Sequence, residues 1–138
     1  MNLEEARNHL DLARKQFDQA QIDSWEPQEP ASCVTNVFYA YENVIVALAD
    51  CYDIKWKKNH YDKAEVAAKL ANDGKVTKNI SQEVLRLNTL RKDVSYGEPG
   101  HDLENEDLEG LVSELEIFID EAEEILSGLE DEASDDDE

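Results

Sequence analysis

The 138-residue chain has little proline, glycine or cysteine, and it lacks any long apolar run. It contains 3 prolines, 5 glycines and 2 cysteines. No uninterrupted apolar stretch approaches the roughly 18 residues that a membrane-spanning helix needs. The first ten residues, MNLEEARNHL, are acidic and amphipathic, and they have neither the basic nor the apolar segment of a secretory signal peptide. We therefore predict a cytoplasmic protein with no membrane contact.

The few cysteines and histidines exclude several kinds of site. Cys33 and Cys51 fall in one predicted helix, where 18 residues correspond to about 27 Å, whereas a disulfide needs Cα atoms within about 7 Å. We predict two unpaired core thiols. No cysteines or histidines have zinc-site spacing, and the inward positions of the last predicted helix are apolar, so a di-metal carboxylate site is excluded as well. The sequence thus predicts neither a metal nor a cofactor.

Positive charge is absent from the last third of the chain. Residues 1–92 hold 14 acidic and 13 basic residues, whereas residues 93–138 hold 20 acidic residues and no Lys or Arg, and the formal net charge is −21. A nearly neutral body therefore carries one strongly anionic helix and tail, which repel nucleic acid on that side. This segment is interpreted either as a solvated surface or as a mimic of nucleic-acid phosphate that occupies a basic partner protein.

Apolar residues recur at helical spacing in four long segments and one short segment. The predicted helices cover residues 3–21, 31–52, 61–71, 80–96 and 106–129. The second is apolar over most of its surface, which is typical of a central helix, and Asn2 and Asn105 are the predicted N-caps of the first and the last.

The helical pattern predicts an all-α fold. We expect an antiparallel up-and-down four-helix bundle with one extra short helix in residues 1–129. The acidic tail, residues 130–138 (EDEASDDDE), contains too little apolar surface to pack and is predicted to be disordered.

Three short motifs occur in a fixed order. The second predicted helix contains Phe38-Tyr39-Ala40, the basic loop after it ends at His60, and the fourth helix ends with Arg91 and, five residues later, Tyr96-Gly97. This order resembles the HEPN family (higher eukaryotes and prokaryotes nucleotide-binding), above all its small stand-alone prokaryotic members, over about residues 3–128. The family motifs are Tyr-Tyr-Ala, a His, and Arg-x-x-x-Asp-Tyr-Gly, so Phe38 replaces a Tyr and Ser95 replaces the Asp.

The resemblance implies a HEPN-like bundle that forms a homodimer with paired sites facing each other. It also implies that Arg91, Ser95, Tyr96 and His60 bind a ligand. In ribonuclease members, four to six residues separate the Arg from a catalytic His, and the positions open to that His here are Tyr96, Gly97 and Glu98. The leading expectation is therefore a non-catalytic or weakly active module. It would bind a nucleotide, RNA or a partner such as a nucleotidyltransferase-type protein in a prokaryotic defence or toxin–antitoxin setting.

Two other functions stay open. A metal-independent ribonuclease at a dimer interface would use Arg91 to stabilise the phosphate transition state and Tyr96 to transfer a proton, although a tyrosine is a poor base near neutral pH. An acidic adaptor would instead bind a basic protein. Arg91 also has a purely structural interpretation, because Arg91 and Lys92 offset the negative end of the helix dipole and would pair with the acidic last helix.

The loop IKWKK is the basic, aromatic segment of the chain. Trp56 offers a ring for stacking on a base, and Lys57 adds a neighbouring positive charge. We predict that these residues contact RNA or an acidic partner. His60, at the end of the loop, is interpreted either as a ligand-facing residue or as a cap or surface group.

Overall fold

The computed structural model describes residues 1–95 and 103–136, and these residues form helices joined by loops. A 3₁₀ turn covers Leu103–Asn105, and no strand occurs in the two ranges. The five α-helices are α1 (Leu3–Asp23), α2 (Pro30–Cys51), α3 (His60–Asn72), α4 (Ser81–Ser95) and α5 (Leu108–Asp136). The all-α prediction is confirmed for the described residues. None of the five helices combines the length and the apolarity that crossing a membrane requires.

Helix α2 lies at the centre of the packing, as predicted. It contacts all four other helices, and these form two pairs, because α1 packs with α5 and α3 packs with α4. Helices α1 and α2 run antiparallel: the N–H of Asn2 donates to the carbonyl of Asp50 at 3.0 Å, and the thiol of Cys33 donates to the carbonyl of Ala20 at 3.4 Å. A helix surrounded in this way needs an apolar surface on several sides.

The starts of α1 and α5 show one confirmed cap and one correction. Asn2 caps α1, since its side-chain oxygen accepts from the N–H of Glu5 at 3.1 Å. Asp107, and not Asn105, caps α5 by accepting from the N–H of Gly110 at 3.0 Å. Asn105 instead belongs to the 3₁₀ turn. The last helix therefore begins two residues later than the predicted start at residue 106.

Helix α5 extends past its predicted end near Leu129 and continues to Asp136. The acidic tail, predicted to be disordered, is therefore helical up to that residue. The physical reason lies on α1, where Arg7 forms ion pairs with Glu123 at 2.7 Å and with Glu130 at 2.6 Å. A cation on the neighbouring helix thus neutralises part of the acidic segment and holds it against the fold.

Both thiols are free and buried in the core, as predicted. Burial raises the pKa of Cys33 and of Cys51 to about 11. Since the thiolate is the reactive form, we expect neither thiol of the folded protein to react with Ellman's reagent at about pH 8. Both should react after unfolding in guanidinium chloride. Rapid labelling of either thiol without denaturant would contradict the burial of Cys33 and Cys51 in α2.

Candidate functional site

Polar and aromatic side chains from α2, α3 and α4 meet around the ring of Phe38. We name this group the Arg91 cluster, and its members are Phe38, Tyr39, Glu42, His60, Lys63, Asn88 and Arg91. Phe38 is fully buried. Its ring therefore provides a fixed surface on which charged groups from the other two helices are positioned.

The guanidinium of Arg91 lies over two aromatic rings of α2. Its Cζ is 4.9 Å from the ring centroid of Phe38 and 5.3 Å from that of Tyr39, distances at which a cation is attracted to the ring face. Its Nη2 donates to Oδ1 of the buried Asn88 at 2.8 Å. Its Nε is buried and has no hydrogen-bond acceptor among the described residues. The guanidinium is thus held in place by contacts with α2 and with Asn88.

A buried carboxylate connects α2 to the start of α3. Glu42 is only 3% exposed, and its Oε2 lies 2.6 Å from Nδ1 of His60. Nζ of Lys63 lies 3.6 Å from its Oε1. The imidazole of His60 also packs edge-on against the Phe38 ring at 5.2 Å. Because a buried charge is costly unless it is paired, these contacts fix the first turn of α3 on α2.

Two of the residues predicted from the motifs therefore meet in space. Arg91 and His60 are 31 positions apart in the chain, and both contact the Phe38 ring. His60 is the first residue of α3, and the neighbouring Asn59 caps that helix. The capping interpretation of His60 therefore does not apply, and its side chain is about one-third exposed.

The basic loop is divided between two environments. Trp56 is partly buried, its Nε1 donates to Oδ1 of Asp50 at 3.3 Å, and Nζ of Lys63 lies 5.8 Å from its ring centroid. Trp56 is thus connected to the Arg91 cluster through Lys63. Lys57 is exposed, and its backbone N–H donates to the carboxylate of Asp62 at 2.6 Å. The structure does not bring its side chain to the cluster.

Two other predicted ligand residues are Ser95 and Tyr96. Tyr96 lies outside the described residues, and so does the side chain of Ser95. The remaining positions open to a catalytic His, Gly97 and Glu98, lie outside them too. The proposed pairing of Arg91 with the acidic last helix is not among its described contacts, which are with α2 and with Asn88 of α4.

Five residues of the cluster were not predicted as site residues. Phe38 and Tyr39 were named only as motif positions, and Glu42, Lys63 and Asn88 were not singled out. A signal did exist for Glu42, since it is one of only two charged residues in α2, and a lone charge within an apolar helix indicates a buried pair. Lys63 and Asn88 carry no comparable signal, because Lys and Asn are ordinary on exposed helix faces.

The described residues contain no group of three or more His, Cys, Asp or Glu side chains that could hold a metal ion. Of the motifs that resemble the HEPN family, the first lies on α2, the second at the start of α3, and Arg91 of the third on α4. Comparisons of the chain with models of protein families, with curated proteins and with solved structures found no match.

Proposed function

We propose that this chain is a HEPN-like module that binds the phosphate of a nucleotide or of RNA at the Arg91 cluster, with little or no cleavage. The observation that supports it best is the state of Arg91. Its guanidinium is held by Asn88 and two aromatic rings, and the residue remains partly exposed. A guanidinium bonds phosphate oxygens through several parallel donors and binds them more strongly than a neutral donor does.

The sequence after Arg91 favours binding over cleavage. Cleavage of a phosphodiester without a metal needs a group that exchanges a proton near neutral pH. No His stands at residues 96–98. Nδ1 of His60 is engaged by the buried Glu42 at 2.6 Å, which leaves Nε2 for a ligand. Because a carboxylate at Nδ1 can also orient Nε2 for proton transfer, the preference for binding depends on the absence of His at residues 96–98.

Two parts of the proposal depend on the resemblance: the homodimer in which two sites face each other, and the prokaryotic defence or toxin–antitoxin setting with a nucleotidyltransferase-type partner. The up-and-down bundle of α1, α2, α4 and α5 with α3 as the extra helix comes from the helical pattern of the sequence, and the cytoplasmic location comes from its composition. The contacts among described residues that agree with the bundle are the antiparallel pairings of α1 with α2 and of α1 with α5.

The substitution Arg91→Gln tests the proposal. We expect it to weaken the binding of a labelled single-stranded RNA and of a fluorescent ATP analogue by about tenfold, the value of one charge-assisted hydrogen bond. Arg86→Gln is the matched control, because Arg86 lies on the same helix but pairs with Glu83 and Glu106, each at 3.0 Å. Fluorescence anisotropy at low ionic strength measures both affinities.

Three results would contradict the proposal. The wild-type chain could bind neither probe, as expected of an acidic adaptor. The Arg91→Gln and Arg86→Gln variants could lose affinity equally, which would indicate a general charge effect. Wild-type protein could degrade RNA in the presence of EDTA and lose that activity in Arg91→Gln, which would establish the ribonuclease alternative.

A further inference from the structure

The solvent-facing side of α5 carries one large apolar residue in an otherwise acidic surface. Ile117 is 71% exposed, more than any other large hydrophobic residue among those described. The other exposed positions of this helix are acidic or small: Glu109, Ser113, Glu114, Glu116, Asp120, Glu124, Gly128, Asp131, Glu132 and Ser134. A single exposed isoleucine is ordinary on a protein surface and becomes informative only through what lies beside it.

Ile117 borders an apolar groove. The groove has a volume of about 250 Å³ and lies between α5 and the segment that joins α3 to α4. Its apolar lining includes Tyr41, Ile80 and Phe118, which are buried in the core with 2%, 4% and 7% exposure. Because these side chains belong to the packed core, the floor of the groove is preformed and does not need to rearrange.

Acidic residues stand on the rim of the groove. Glu121 accepts hydrogen bonds from the N–H of Thr77 at 3.2 Å and from its hydroxyl at 2.6 Å, which attaches the loop to α5. Glu114 lies 3.5 Å from Nζ of Lys78, and both side chains are more than half exposed. A surface pair of this kind contributes little to stability and exchanges partners readily.

The size of the groove limits what can occupy it. Pockets that enclose a drug-sized ligand measure about 300–1,000 Å³. This groove, at about 250 Å³, is closer to the space for one large apolar side chain and its neighbours. Its shape therefore suits the anchor residue of a polypeptide rather than a separate small molecule.

The charge of the surface decides between two kinds of polypeptide. A second copy of this chain would bring its own acidic α5 against the groove, and like charges held together are unfavourable. A segment rich in Lys and Arg would instead be attracted, because residues 93–138 contain 20 acidic residues and no basic residue. An apolar anchor within such a segment would cover Ile117 at the same time.

We infer that the groove beside Ile117 is a docking site for a basic peptide segment of a partner protein, with a Leu, Ile or Phe side chain inserted between Glu114 and Glu121. This site gives the acidic surface a role separate from phosphate binding. It shares no residue with the Arg91 cluster, so either site can exist without the other.

Three synthetic peptides of equal length test the inference on the full chain: one with Lys and Leu at helical spacing, one of Lys and Gly, and one with Glu and Leu. We expect the affinity to be highest for the Lys–Leu peptide and lower for the Lys–Gly peptide. Binding of the Glu–Leu peptide should be undetectable by isothermal titration calorimetry. Ile117→Ser should weaken the Lys–Leu peptide about tenfold, as expected for an aliphatic side chain that becomes buried. It should leave the Lys–Gly peptide unchanged.

Ile22→Ser is the matched control, because Ile22 on α1 is also exposed, at 54%, and lies outside the groove. This variant should bind all three peptides like the wild type, and so should Arg91→Gln, which separates this site from the proposed phosphate site. Equal loss of affinity in Ile117→Ser and Ile22→Ser would overturn the inference, and so would binding of the Glu–Leu peptide. A dimer that dissociates on Ile117→Ser would show that the occupant is a second copy.

Discussion

Replacement of His60 by alanine is expected to lower the free energy of unfolding by about 3 kcal/mol. The reason is Glu42, whose side chain is 4% exposed and which would lose its contact with the imidazole at 2.6 Å. Removing the partner of a buried carboxylate leaves its charge with less compensation, at a typical cost of about 3–5 kcal/mol. We expect a cost at the lower end of this range, because the side chain of His60 is about a third exposed and Nζ of Lys63 remains 3.6 Å from the carboxylate. Urea denaturation followed by circular dichroism measures the change.

A second substitution shows that the loss comes from the carboxylate. In the double variant His60→Ala, Glu42→Met the buried charge is gone, and an apolar side chain of similar length fills its place. We expect most of the stability to return, because replacing a whole buried pair by apolar groups is close to neutral. His9→Ala is the control: His9 lies 3.4 Å from Asp50, which also accepts from Trp56, so its loss should cost less than about 1 kcal/mol. A double variant as unstable as His60→Ala would disprove the explanation.

The fold was predictable wherever local pattern alone decides it. The alternation of three- and four-residue steps located all five helices, and the breadth of the apolar surface identified α2 as the central one. Errors are confined to helix ends, where one side chain decides. At α5, Asn105 and Asp107 are both good capping residues, and composition cannot choose between them.

The candidate site was predictable only in part. Arg91 and His60 were predicted from the order of the motifs, and the structure brings both to the Phe38 ring. The charges that surround them come from other helices, and nothing in the spacing of Glu42 and Lys63 shows that the two side chains meet. Contacts between helices depend on how the helices rotate and pack, which a single sequence with short motifs does not determine.

The end of α5 shows more clearly that a single sequence does not reveal contacts between helices. An acidic segment without a basic residue satisfies every local criterion for disorder, yet the helix continues to Asp136. The stabilising cation, Arg7, precedes Glu123 by 116 residues and Glu130 by 123 residues. Its guanidinium donates hydrogen bonds to both carboxylates: Nη1 lies 2.9 Å from Oε1 of Glu123, and Nη2 lies 2.6 Å from Oε1 of Glu130.

Replacement of Arg7 by alanine is therefore expected to destabilise the protein by about 2 kcal/mol at neutral pH. The hydrogen bonds from Arg7 are the largest cause that lowers the pKa of Glu123, from 4.5 to about 2. That shift alone would suggest a larger effect, but both side chains are between a quarter and a third exposed, and solvent screens them. Denaturation in urea of the wild type and the variant gives the difference.

The same contact predicts how this difference depends on pH. A carboxylate whose pKa is lowered by folding stabilises the folded state fully above its unfolded pKa, and this contribution disappears as the pH falls through the folded pKa. For Glu123 this contribution is lost between pH 4.5 and about pH 2. The gap in stability between wild type and Arg7→Ala should therefore be constant from pH 7 to about pH 5 and should narrow steadily below it.

Arg14→Ala is the comparison that isolates the stabilising contribution of the Arg7 guanidinium. Arg14 approaches the same Glu123 carboxylate, but only at 3.4 Å and with 39% of its side chain exposed, so its loss should cost less than about 0.5 kcal/mol. A gap for Arg7→Ala that stayed constant down to about pH 3 would show that the arginine acts through apolar packing of its stem rather than through charge. In that case the helical end of α5 would need another cause. A gap that narrows as predicted would show that the charge of Arg7 stabilises the folded protein through Glu123.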